Sequence, residues 1–423
     1  MTLPVDPTGL HRTPQVRRPS AAVYRRRRLA VFGSALVFLI LVSWSIVVLS
    51  VPLPSSAAAI TQPTSIVGEA VTPAVPPVGA SAVVADEFGP LGLGPTHDVV
   101  PMASMTKVIT ALMVVKAHPL VGADPGPTLA FGQADVDVIN DVIAQNGNYS
   151  PVSVGDTTSE RDALYAMLLN SSNNIAGSLA IWAYGSMDEY LSQTATWLAE
   201  QGLTDTVVVD ASGLDAGSRS SSTDLIAIGR LARANPVLAS IVATPSIELP
   251  LFGTVVNGNT LLGVSGINGI KTGTLDEAGS CLLYSASFSV AERSVTLYGV
   301  TTGAATQGEL QPTIAEYVAS LEAGFHETPL ADPAVSVAQV TSAWNTTSDI
   351  VPARALSTLT WSDSPVPVTV VLSEIRGGAA GTRVGSMTFD APGGPLSVDL
   401  VLASDLGDPG PGWRFANVAQ LFG

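Results

Sequence analysis

From residue 29 to residue 51 the chain reads LAVFGSALVFLILVSWSIVVLSV, with no charged side chain and no polar face. As a helix this run is about 35 Å long, enough to cross a hydrocarbon core with some tilt. Arg25, Arg26, Arg27 and Arg28 stand before it and acidic residues prevail after it, so residues 1–28 are expected as a cytoplasmic basic tail, with the bulk of the chain outside. A cleaved signal peptide is the competing reading, with the small residues SAAA at 56–59 as its site and secretion as its outcome. The apolar run is longer than the roughly 7 to 15 residues usual for such peptides, so a single-pass plasma-membrane anchor over 29–51 is the expectation.

Residues 52–80 are rich in Pro, Ala, Ser and Thr and predict an extended extracytoplasmic linker. The next 250 residues, 81–330, alternate helical and strand periods. Residues 81–85 predict a short strand and 89–97 a loop. The apolar run VITALMVV at 108–115 predicts a helix that begins near Ser104 and stops at His118-Pro119. Thr157 and Glu160 have capping-box spacing ahead of Leu164, Met167 and Leu168. The cluster NSSNN at 170–174 then breaks the helix, because Ser and Asn compete for backbone hydrogen bonds, and 175–184 resumes it. Ser186 and Glu189 form a second box, with Gly202 closing that helix. Residues 207–214 predict a buried turn, and 222–232 a helix stopped by Asn235-Pro236.

Beyond that point the period shortens to two. Strands are expected at 251–256, 261–264, 281–290 and 295–300, with a hairpin around 291–293 and a closing helix over 310–321. After residue 330, β-prone runs at 368–372, 383–389 and 396–402 between Gly, Pro and Asp turns predict a small β-rich accessory domain over 331–423. Its last residues, WRFANVAQLFG, are too short for an amphipathic membrane tail, so membrane attachment is expected from the N-terminal helix alone.

Charge narrows the partners. The net charge is −16, and seven of the 19 basic residues precede residue 29, leaving twelve against 34 acidic ones. Nucleic acid is therefore not an expected partner, since the acidic bulk has nothing to neutralise phosphates. The single cysteine, Cys281, permits no disulfide within the chain and is expected to pack in a strand. His11, His97, His118 and His326 have no ligand spacing, so a zinc peptidase is not expected.

The candidate chemistry lies at PMASMTK, residues 101–107. At the head of a helix, Ser104 and Lys107 share a face, and free backbone N–H groups there favour negative charge on a substrate oxygen. That suits a serine nucleophile with a lysine base, although the pair alone also fits an ordinary solvated helix surface. Two further groups raise it: Ser171 with Asn173, and Lys271-Thr272-Gly273 in a strand region. Lys271 offers a cation, Thr272 a hydroxyl, and Gly273 close approach to backbone.

Ser-x-x-Lys, Ser-x-Asn and Lys-Thr-Gly in this order resemble the penicillin-recognising acyl-serine enzymes. The segments PMASMTKVITALMV, LLNSSNNIAGSLA, DASGLDAGSRSSSTDLIAIGRLA and GINGIKTGTLDEAGSCLL narrow the resemblance to the D-alanyl-D-alanine carboxypeptidases among the low-molecular-mass penicillin-binding proteins. It implies an α/β transpeptidase fold of the penicillin-binding and β-lactamase type, with a mainly antiparallel sheet flanked by helices. It also implies peptidoglycan stem peptides and β-lactams as partners, and a serine acyl-transfer chemistry would need no metal or organic cofactor. By residue, it implies Ser104 as nucleophile, Lys107 as base, Ser171 as proton relay, Asn173 on the substrate amide and Lys271 as electrostatic support. Thr272 would bind the terminal carboxylate beside Gly273, and the N–H groups of Ser104 and Thr274 would bind the oxyanion. Ser172 and Leu275 depart from the family pattern, Leu275 by lacking a hydroxyl that would touch substrate. Of the rival activities, a β-lactamase would need a deacylating glutamate, and Glu189, Glu200 and Glu248 lack the expected context. An endopeptidase and an inactive wall-binding scaffold stay open.

Overall fold

Nearly all of the charge-free run lies in one helix, α1 (Ala21–Ser50), which also takes in Arg25 to Arg28 of the expected tail and is exposed except at Ser45 and Val48. Among the described residues it is the one single helix long and apolar enough to cross a membrane. The computed structural model describes residues 20–77, 79–93 and 97–423, so most of the expected basic tail lies outside the described residues.

The catalytic-domain candidate is built on a five-stranded antiparallel sheet. Strands β1 (Ala80–Ala85), β2 (Gly89–Leu91), β3 (Ile267–Leu275), β4 (Gly279–Val290) and β5 (Arg293–Ala304) stand in the order β3-β4-β5-β1-β2. Residues 89–91, expected as loop, instead pair with Val83, Val84 and Ala85, because Glu87 and Gly89 at positive φ turn the chain back on itself. Alternation along the strands feeds two cores. Cys281, Leu283, Ile270 and Ala82 face one side, against helices α2 (Thr106–Ala117), α3 (Glu160–Leu169), α4 (Asn173–Tyr184) and α5 (Ser222–Ala234). Leu282, Tyr284, Val83 and Ala85 face the other, against α6 (Gln307–Glu322). With both faces covered, the sheet is a rigid wall, and α2, buried from Thr106 to Val115, is the post beside it.

Three local expectations change. The α3 cap is Ser159, whose side chain accepts from Asp162 N at 3.1 Å, rather than Thr157. Residues 157–159 are a strand paired with 128–130, and that ladder uses the backbone a Thr157 cap would need. Residues 261–264 are turn rather than strand: Gly263, Ser265 and Gly266 all take positive φ, which no ladder accommodates. A helix, Gln133–Ala144, fills part of the Gly- and Asp-rich stretch where no element was predicted.

The C-terminal β-rich region is a seven-stranded sheet with a third core around Val340, Ile350, Met387, Phe389 and Leu400. Its edge strands come from the predicted linker: 58–60 pairs with 338–340, and 65–66 with 366–367. The proline-rich segment is thus strapped along this sheet rather than hanging free.

Candidate active site

Ser104 sits in a 3-10 turn, Ala103–Met105, that opens directly into α2. Ala103 is held at φ 47°, a strained position for a residue with a side chain. Two glycines make room for this turn. A Cβ on Gly273 would lie 3.1 Å from Ala103 Cβ and 3.3 Å from Ser104 N, and one on Gly213 only 1.9 Å from Ala103 O. β3 therefore runs tight against the backbone N–H of Ser104, as an oxyanion pocket between the two would require.

Lys107, one turn into α2, is fully buried. Its Nζ lies 2.9 Å from Ser104 Oγ, 2.6 Å from Asn173 Oδ1 and 2.8 Å from Ser212 O. Burial holds its pKa well below the ordinary lysine value, and the charge of Lys271 lowers it further, while Asp210 opposes them. A neutral amine there can take a proton from the adjacent hydroxyl. Lys271, in β3, is also buried, and desolvation brings it down to about 7.

The break at 170–174 has a structural function. Ser171 takes φ 59° between α3 and α4, and Asn173 begins α4. Asn173 donates from Nδ2 to Asn148 O at 2.9 Å, which fixes its amide so that Oδ1 faces Lys107. Ser172, Asn170 and Ser150 hydrogen-bond one another behind this turn. Ser172 is fully buried, so the departure noted at this position serves to pin the turn.

The structure thus ties Ser104, Lys107 and Asn173 directly together, sets Lys271 within electrostatic reach and packs Gly273 on the nucleophile turn. Ser171, Thr272 and Thr274 line the same junctions without a hydrogen bond to that trio. Gly258 leaves space for Thr272: a Cβ there would be 2.9 Å from Thr272 Oγ1.

Two residues escaped the sequence reading. Asp210 accepts from Gly213 N at 2.8 Å, Leu214 N at 3.1 Å and Ser218 Oγ at 2.7 Å, shaping the loop whose Ser212 carbonyl meets Lys107. The D-x-S-G spelling of an Asx-type turn was its signal. Gln307, the first residue of α6, donates to Gly273 O at 2.8 Å and Cys281 O at 3.1 Å, with Thr274 Oγ1 at 3.4 Å. Nothing local in the sequence marks it, since β3 and α6 meet only in the fold. The three glutamates between the second and third motifs are all exposed and engaged elsewhere: Glu189 with Gln193, Glu200 with Lys116, and Glu248 with Thr254.

The family model for D-alanyl-D-alanine carboxypeptidase matches residues 91–305, half of the chain and all three motifs. The chain belongs to this family. Among the family's characterised proteins it is similar to a D-alanyl-D-alanine carboxypeptidase of Mycobacterium tuberculosis, with 33% identity over 185 residues, 42% of this chain and 59% of that protein. It is also similar to a D-alanyl-D-alanine endopeptidase of Pseudomonas aeruginosa, with 28% identity over 196 residues, 44% of this chain and 59% of that one. The chain therefore spans about three fifths of the length of these curated relatives. By fold it is similar to penicillin binding protein 5 from Haemophilus influenzae (TM-score 0.54, 18% identity, 83% of this chain and 100% of that one). The Streptomyces K15 DD-transpeptidase gives a TM-score of 0.50 with 21% identity, over 57% of this chain and 96% of that one. The carboxypeptidase-family fold with its helix-flanked antiparallel sheet is thereby established.

Proposed function

We propose that this protein is a serine-type D-alanyl-D-alanine carboxypeptidase of peptidoglycan stem peptides, inhibited by β-lactams. The observation that carries the reading is the buried Lys107 amine 2.9 Å from Ser104 Oγ, with a second buried lysine acting on it. In this account Ser104 Oγ attacks the carbonyl of the penultimate D-alanine as its proton passes to Lys107 Nζ. The N–H groups of Ser104 and Thr274 take the charge that develops on the carbonyl oxygen. Asn173 and Thr272 hold the substrate amide and carboxylate, and Gly273 keeps β3 close. The proton moves through Ser171, supported by Lys271, to the amine of the leaving D-alanine. Water then cleaves the ester, with the same groups acting in reverse.

The β-lactamase alternative is disfavoured because Glu189, Glu200 and Glu248 all have surface partners away from Lys107. An endopeptidase acting on cross-links is the second reading, favoured by the similarity to the Pseudomonas protein of that name. We further propose that residues 1–28 lie in the cytoplasm, 29–51 cross the plasma membrane, and 52–80 strap the exported peptidase domain (81–330) to an accessory domain (331–423). Incubation with a stem pentapeptide and with a cross-linked dimer separates the readings. Free D-alanine from the pentapeptide, absent with Ser104→Ala, is the expected result. Cleavage of the dimer alone would assign the endopeptidase.

A further inference from the structure

The accessory domain has no role in the chemistry above, yet it is joined to α1 by specific contacts. The chain closes with two short helices, α7 (Gly410–Ala416) and α8 (Val418–Phe422). The side chain of Arg414 in α7 is only 9% exposed, and it donates to Val48 O at 3.4 Å and Val51 O at 2.7 Å. These carbonyls belong to the end of the membrane-length helix, where acceptors lack intrahelical partners and a cation suits the helix dipole. Asp408 balances the buried guanidinium, with Oδ2 2.5 Å from Nη2. Arg376 of the same domain donates to Leu53 O at 2.7 Å, just past the helix. Val48, the one buried residue of α1, lies beside the Arg414 contact.

Depth decides the partner. Phe422 stacks on Trp44, ring centroids 5.8 Å apart. Trp44 lies six residues before the end of α1 at Ser50, so Phe422 sits about 9 Å back along the helix axis, beside the last turns of the membrane-length run. That matches the roughly 5–10 Å to which interfacial helices sink, and Trp is the residue type of the interface. Phe415 and Phe422 are also exposed, at 43% and 49%, and so free to meet acyl chains at that depth.

We propose that the C-terminal domain is a membrane-seated collar: α7 and α8 clasp the outer end of α1 through Arg414 and set Phe415 and Phe422 into the outer-leaflet lipid surface. The attraction is apolar rather than electrostatic, because residues 331–423 carry eight acidic side chains against four basic ones. The collar thereby fixes the height and orientation of the serine pocket above the bilayer. It rests on α1 remaining attached, which the intact mass of membrane-extracted protein reports independently; loss of the residues before 60 would overturn it.

The test uses the full chain in lipid nanodiscs with a bimane label at Phe422→Cys, and at Val121→Cys, 77% exposed in the peptidase domain, as the water control. Cys281 is buried and leaves labelling to the introduced thiol. Doxyl-labelled lipid should quench position 422 at least threefold more than position 121, and iodide should do the reverse. Equal iodide quenching at both positions, with no lipid quenching at 422, would overturn the collar. Adding Arg414→Ala should bring lipid quenching at 422 toward the control while benzylpenicillin acylation stays unchanged, and unaltered quenching would remove the clasp from the account. Failure of wild type to react with benzylpenicillin would count against the peptidase reading and leave the quenching result standing.

Discussion

Two buried lysines, one hydrogen-bonded to the Ser104 hydroxyl and the other acting on the first through its charge, make the pH dependence of this site predictable. Protonated Lys107 cannot accept the Ser104 proton, so acylation should fall as pH drops through its depressed pKa. Lys271 helps to keep that value low. Removing its charge in Lys271→Met should therefore move the acid limb of the acylation profile to higher pH, besides lowering the maximal rate. An unmoved limb would mean that the lysines do not communicate. Gln307 acts one step further out. Its amide grips the carbonyl of the Gly273–Thr274 peptide, whose N–H is the proposed second oxyanion donor. Gln307→Leu should lower the acylation rate about tenfold, between the loss of one ordinary hydrogen bond and that of an oxyanion donor, with little change in Tm. A third titratable group lies apart from the chemistry. Glu160, at the far end of α3 from Ser171, is buried with both carboxylate oxygens unpaired, and burial raises it to about 7. A folded-state value above the unfolded one means that its stabilising share, complete below about pH 4.5, is lost as pH rises toward 7. Glu160→Gln should flatten that decline and raise stability above pH 7 relative to the unchanged protein, readable as Tm against pH.

Among the elements, β3 and the 3-10 turn that leads into α2 decide the site, because a Cβ on Gly273 would crowd Ala103 and Ser104. Gly273→Ala should push β3 off the Ser104 turn, costing about 1–3 kcal/mol of stability and a larger, at least tenfold, share of the acylation rate. Penicillin acylation kinetics beside a thermal melt would show the two losses separately. These elements were legible from the sequence in unequal degree. The helix after Ser104 could be read because its apolar run is long and stops at His118-Pro119. The three motifs could be read because they stand together in the order of a known family, whereas each alone also fits an ordinary helix surface or cap. Strand β2 could not, since three residues carry no periodicity and only the positive φ at Glu87 and Gly89 creates the hairpin. The cap stands two residues beyond Thr157, because Thr157 pairs with a segment 27 residues earlier. Turn 261–264 carries the apolar letters of a strand and the glycines of a loop, and backbone geometry chose the latter.

At the scale of the whole molecule, the segment 52–80 reverses an expectation with practical effect. Its residues 58–60 and 65–66 close both edges of the C-terminal sheet. A soluble fragment starting at residue 81 would bare those edges and cut into β1, so it should aggregate, whereas a fragment of 52–423 should elute as a defined species in size-exclusion chromatography. The same segment runs from the end of α1 to the peptidase sheet, and the C-terminal region whose edges it closes meets α1 through Arg414. The central claim is that Ser104 is the acyl-accepting nucleophile, and intact-mass spectrometry of the detergent-extracted full chain after exposure to benzylpenicillin tests it most directly. A lasting adduct of one penicilloyl group that maps to Ser104 and is lost in Ser104→Ala is the predicted result. A folded protein that gains no mass, or that destroys the penicillin in many turnovers without an adduct, would contradict it.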